Sequence, residues 1–188
     1  MNQGRSAVRE LSLYVSASPE MDPECELLGQ MLAQLTPSVR WQIKRTPPAH
    51  DKTDPDWVAL ETADFYVLLV GRDITAPIGV EYVAAQEHGI PAFCYRNRAA
   101  TPSPALSAFM RQIRTDWQSY ETPQAFASEL RKQLVRRLIE GTPGYGLSLQ
   151  EIERLAAELR EDDEIERGAM DDRRGAGRGG VILPNTPL

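Results

Sequence analysis

Six consecutive apolar residues, Phe65-Tyr66-Val67-Leu68-Leu69-Val70, constrain this chain more than any other feature. A strand that buries one face alternates apolar with polar residues. A strand without alternation buries both faces, which calls for a parallel sheet covered by helices on each side. Asp64 precedes the run and Gly71 closes it. A helical stretch from about Gly79 to His88 then leads through Gly89-Ile90-Pro91 into a second buried strand, Ala92 to Tyr95. That is the spacing of a βαβ unit.

The same grammar extends in both directions. Leu11, Leu13 and Val15 alternate as a first strand. Asp22 offers an N-cap and Pro23 a first helical position for a helix carrying Leu27, Leu28, Met31, Leu32 and Leu35. Val39, Trp41 and Ile43 alternate as a second strand, and a proline-rich polar loop spans residues 46–56. Trp57–Thr62 reads as a short helix, Ser103–Arg114 as another, and Trp117–Tyr120 as an edge strand. Thr122-Pro123 opens a helix with Phe126, Leu130, Leu134 and Leu138 on its inner face. The expected fold is α/β, an open parallel sheet of four to five strands with helices on both faces.

Around that domain, residues 11–140, the chain divides further. Residues 1–10 are a polar leader, and 141–146 a glycine-rich hinge. Residues 147–166 are an amphipathic acidic helix, begun by a Ser148/Glu151 capping box and a Leu147/Ile152 staple. Residues 167–188, Arg/Gly-rich, are expected to be disordered. Within them Val181-Ile182-Leu183-Pro184 is a short apolar peptide suited to strand addition or groove binding.

Composition excludes several classes. Two cysteines and two histidines assemble no familiar zinc or disulfide framework, and no metal is expected. No signal peptide or apolar run of about 18 residues is present, so the expectation is a cytoplasmic protein without a membrane partner. A net charge of −6 argues against nucleic acid as a partner. Charge is nonetheless segregated. Residues 96–137 hold eight basic and three acidic side chains, and residues 150–172 ten acidic and three basic. These are either two solvated faces, or an acidic helix that docks on the basic helices or on a neighbour's. Dinucleotide-binding, P-loop and serine-hydrolase glycine motifs are all absent.

Glu81 is the candidate that remains. The loop Asp73–Pro77 delivers it to the first turn of the expected helix, at the carboxyl ends of the strands, where open α/β sheets bind ligands. A carboxylate there can stabilise the cationic sugar formed as an N-glycosidic bond breaks, or be a helix-start residue favoured by the dipole. Ser16, Ser18 and Glu20 follow the first strand and should line the same crevice, offering hydroxyls to a phosphate or ribose, or simply forming a turn. Asp73 stands at the correct end for a ribose hydroxyl. Asp64 falls at the amino end and reads as a structural cap.

Leu13 to about Glu140 resembles the TIR-like superfamily. The resemblance rests on Val15-Ser16-Ala17-Ser18-Pro19-Glu20-Met21-Asp22, then Asp64, Gly71, Glu81-Tyr82, Ala85 and Ile90-Pro91, with Trp117–Tyr120 and Phe126–Leu138 closing the domain. The nearest branch is an uncharacterised TIR-like family at the N-termini of bacterial NTPase and repeat proteins. Nucleoside deoxyribosyltransferases are similar more distantly. Ala76-Pro77-Ile78-Gly79 stands where typical TIR domains carry Ser-x-Trp-Cys before the glutamate. The resemblance implies a nucleotide-handling domain, an NAD-type N-glycosidase or a nucleotide-binding relative, in bacterial antiphage defence or signalling. Glu81 would be catalytic, with Ser16, Ser18, Glu20, Gly71, Asp73 and Tyr82 around the ligand. NAD would be substrate and no cofactor is expected. A non-catalytic module, self-associating or binding a protein through the C-terminal helix and tail, is the alternative. A nucleoside 2-deoxyribosyltransferase is the third.

Overall fold

The computed structural model describes residues 9–36, 39–47, 53–141 and 145–175. Five strands form one sheet: β1 (Arg9–Ala17), β2 (Val39–Arg45), β3 (Phe65–Val70), β4 (Ala92–Asn97) and β5 (Trp117–Tyr120). Their order is β2-β1-β3-β4-β5, and every pairing is parallel. This is the expected α/β architecture. All six residues of β3 are buried, as the unbroken apolar run requires.

One face of the sheet is covered by α1 (Asp22–Leu35) and α5 (Pro123–Glu140), joined through Leu28, Leu32, Phe126 and Leu134 to Leu13, Val15 and Val67. The other face carries α2 (Trp57–Glu61), α3 (Ala76–Glu87) and α4 (Pro104–Gln112), packed on Tyr14, Tyr66, Leu68 and Cys94. The chain adds β2 outside β1 and then returns past it to β3. The topological switch point therefore lies between β1 and β3, where ligands bind in such sheets.

Three local expectations shift. Met21, not Asp22, is the N-cap residue of α1; Asp22 instead pairs with Arg45 of β2 at 2.6 Å. Helix α3 begins at Ala76, because Thr75 is extended and Pro77 fits the opening turn, so the first turn holds no acidic residue and Glu81 sits in the second. Helix α6 (Leu149–Gly175) continues past residue 166 into the stretch expected to be disordered. Its Glu, Arg and Ala residues are good helix formers, and low hydrophobicity does not weigh against a helix already nucleated.

The Ser148/Glu151 capping box forms, with Glu151 N–H on Ser148 Oγ at 3.3 Å and Ser148 N–H on Glu151 Oε2 at 3.1 Å. Beyond it α6 folds back on α5. Arg131 binds Glu158 and Asp162, Arg136 reaches Asp163 at 2.9 Å, and Leu155 is fully buried. Of the two charge readings, docking of the acidic helix on the basic one is what the fold adopts. Residues 176–188, including Val181–Pro184, fall outside the described residues, as do 1–8 and 142–144. No helix among the described residues is long and apolar enough to cross a membrane.

Candidate functional site

Period-two alternation along β1 sends Leu13, Val15 and Ala17 to the α1/α5 face and Tyr14 and Ser16 to the α3 face. Glu81 projects from α3 onto those two side chains and is wholly buried. Tyr14 Oη donates to Glu81 Oε1 at 2.8 Å. Ser16 Oγ and Thr46 Oγ1, the latter just past β2, both donate to Oε2 at 2.6 Å. Three hydroxyls from two adjacent strand ends thus replace the water that an exposed carboxylate would hold.

The surroundings are aromatic. Tyr14 and Tyr66 stack with centroids 6.4 Å apart and planes at 10°. Burial, followed by the neighbouring Glu81 charge, pushes the Tyr14 phenol well above its ordinary range. Burial does the same to Tyr66.

Ser18, two residues beyond Ser16, is also buried. Glu20, two residues further, reaches the lip of a cavity of ≈ 450 Å³ over the carboxyl ends of β1, β3 and β4. Arg72, Asp73, Asn97 and Ala99 line the same cavity, with Met21 in its wall. Glu20 Oε1 accepts the backbone N–H groups of Arg72 (3.2 Å) and Asp73 (3.4 Å). Partial burial raises the Glu20 carboxyl, but backbone N–H groups and the nearby Ser18 hydroxyl outweigh it and hold it below the ordinary range. Asp73 is lowered as well, by Ser103 Oγ at 2.6 Å and the N–H of Ile74 at 2.9 Å.

The expected site residues therefore separate into groups. Ser16 is bonded to Glu81. Glu20 and Asp73 line the cavity, and Ser18 lies between Ser16 and Glu20 along the chain. Gly71 is a packing position at the end of β3, where an added Cβ would collide with Met21 Cε. The Tyr82 ring is buried in the apolar layer against Tyr66 and edge-on to Phe109 at 6.0 Å; neither it nor Glu81 is among the residues lining the cavity. Asp64 occupies the structural position expected of it, accepting Ser12 N–H at 2.8 Å and Ser12 Oγ at 3.0 Å. A second cavity, ≈ 420 Å³, opens at the other end of β4 between Pro91, Gln133 and Arg137, remote from this cluster in the fold.

Sequence reasoning missed Tyr14, Thr46, Glu24 and Asn97. Tyr14 shares the parity of Ser16, and that signal was available. Glu24 falls on the inward stripe Glu24-Leu28-Leu32-Leu35 of α1, so an acidic residue at an apolar register was legible too. The hydroxyl of Thr46 and the carboxamide of Asn97 had no sequence signature, because only sheet order brings them in.

No family model and no curated protein matches this chain. Among solved structures, it is similar to the structure of the Clostridium botulinum CMP N-glycosidase BcmB. The two are 13% identical, the match covering 63% of this chain and 97% of that one with a TM-score of 0.43. A likeness of that depth carries nothing about chemistry.

Proposed function

We propose that this chain binds a nucleotide at the β1/β3 crest and that Glu81 serves cleavage of its N-glycosidic bond, with NAD as the leading substrate. The observation that supports this reading most is a fully buried carboxylate at the topological switch point, held by Tyr14, Ser16 and Thr46. Such a carboxylate is preorganised: its donors fix its position, and its charge is little screened. In the reaction the C–N bond breaks and its electron pair leaves with the base. The sugar becomes an oxocarbenium ion opposite the carboxylate, and water completes the hydrolysis. Release of nicotinamide from NAD is the direct assay, with Glu81→Gln expected to lower turnover by about a hundredfold or more. Equal turnover by the two proteins overturns the mechanism.

One observation favours a second reading. Glu81 has no exposed surface, and its oxygens are already engaged by three side chains of its own domain. On this reading Glu81 is a structural tie, the cavity binds a nucleotide without cleaving it, and the domain signals by assembly. Nucleotide binding with no base release by wild type or variant decides for it. Transfer of the sugar to an added free base would point instead to a deoxyribosyltransferase. The TIR-like kinship and a role in bacterial defence belong to this proposal and rest on the sequence motifs alone.

A further inference from the structure

A second buried carboxylate stands on the opposite face of the sheet from Glu81. Glu24, on α1, is only 2% exposed. Its Oε1 accepts Tyr120 Oη at 2.9 Å and Asn97 Nδ2 at 3.3 Å. Burying a carboxylate is costly, and neutral donors repay only part of the lost hydration. Core packing alone would place an apolar residue here, as it does at Leu28 and Leu32 on the same stripe.

What the arrangement fixes is Asn97. This residue ends β4 and lines the cavity beside Glu20 and Asp73. While Nδ2 points at Glu24, Oδ1 accepts the N–H of Ala99 at 2.8 Å. A flipped amide would set oxygen against carboxylate and NH₂ against N–H, so both ends are determined by their partners. Each end has capacity left: a second lone pair on Oδ1, and a second N–H on Nδ2, which Tyr120 Oη also approaches. A side-chain amide offering donor and acceptor together matches a ring nitrogen beside an exocyclic amino group, the edge by which asparagine holds adenine.

Resting on the nucleotide reading above, we infer that Asn97 is the base-reading residue of the cavity and selects an amino-substituted base, and that Glu24 and Tyr120 position it. Oδ1 accepts from the amino group, and the second N–H of Nδ2 donates to the adjacent ring nitrogen. Glu24 is a positioning residue and does not touch the ligand.

Calorimetric titration of the full chain with adenosine monophosphate, and with purine riboside monophosphate lacking the amino group, tests this. Wild type is expected to prefer the amino-bearing nucleotide by about ten- to a hundredfold. Asn97→Ala brings the ratio near one, Glu24→Ala does the same, and Glu24→Gln, which keeps an acceptor for both donors, restores most of it. A general loss of stability would weaken both ligands alike and leave the ratio intact. A ratio unchanged in Asn97→Ala, or absent in wild type while both nucleotides bind, overturns base reading and leaves nucleotide binding standing. Failure of wild type to bind either nucleotide overturns both.

Discussion

Thr46 Oγ1 donates to Glu81 Oε2 at 2.6 Å across 35 residues of sequence, so the chain just past β2 is tied to the second turn of α3 over the end of β1. Nothing local brings these two residues together. The link exists because β2 lies outside β1 and the chain then returns to the other side. Loss of the hydroxyl would leave one fewer donor on a buried carboxylate. Thr46→Val is expected to cost about 1.5–3 kcal/mol, the range for hydrogen bonds to charged groups. Thr46→Ser should recover most of it. Urea denaturation reads both, and an unchanged midpoint in Thr46→Val would show that the bond contributes nothing net.

Alkaline pH should unfold this protein cooperatively. Tyr14, Tyr66, Tyr82, Tyr95 and Tyr120 all have phenols raised above the ordinary value of 10.0, burial being the first cause in each. A raised folded-state pKa means that the unfolded chain loses its protons first. The stability is then complete below pH 10 and declines as pH rises above it toward the folded values. Spectrophotometric titration should show these five ionising together with the loss of near-ultraviolet dichroism. Early, independent ionisation of all six tyrosines would contradict their burial.

Helix α6 should depend on its apolar contact more than on its ion pairs. Leu155 is fully buried, and Leu155→Ala should cost about 2–5 kcal/mol. Arg131, about a third exposed, binds Glu158 and Asp162, yet Arg131→Ala should cost about 1 kcal/mol or less because solvent screens partly exposed pairs. Denaturation midpoints in low and high salt separate the two. A larger, salt-sensitive loss in the arginine variant would reverse the ranking.

Gly71 closes β3 against the side chain of Met21, and an added Cβ would overlap Met21 Cε. Met21 Cε is the far end of a flexible side chain in the cavity wall, so the methyl has room to swing aside. Gly71→Ala should therefore lower stability by no more than about 1 kcal/mol, the cost of shifting one side-chain rotamer. Adding Met21→Ala should cost less in that background than in wild type, as neighbouring sites couple. Strict additivity of the two changes would show that they do not touch.

The sequence by itself determined the element order, the parallel sheet, the two-sided burial of β3 and the capping box of α6. Each is a consequence of local periodicity or of neighbours within about four residues, and both act before any tertiary contact forms. It also marked Glu81 as a residue of interest. Only the tertiary structure decided what Glu81 touches. Its helix start lay three residues off, since periodicity does not register where an extended residue before proline lets a helix begin. Ser16 was expected beside it from the turn after the first strand, but Tyr14 and Thr46 join it through a crossover whose direction no short stretch encodes. The same holds for Glu24, Asn97 and Tyr120, brought together from α1, β4 and β5. Tyr82 was expected around the ligand only through the Glu81-Tyr82 pair of the TIR-like resemblance. On a helix the next residue points about 100° away, and that rotation put its ring in the core.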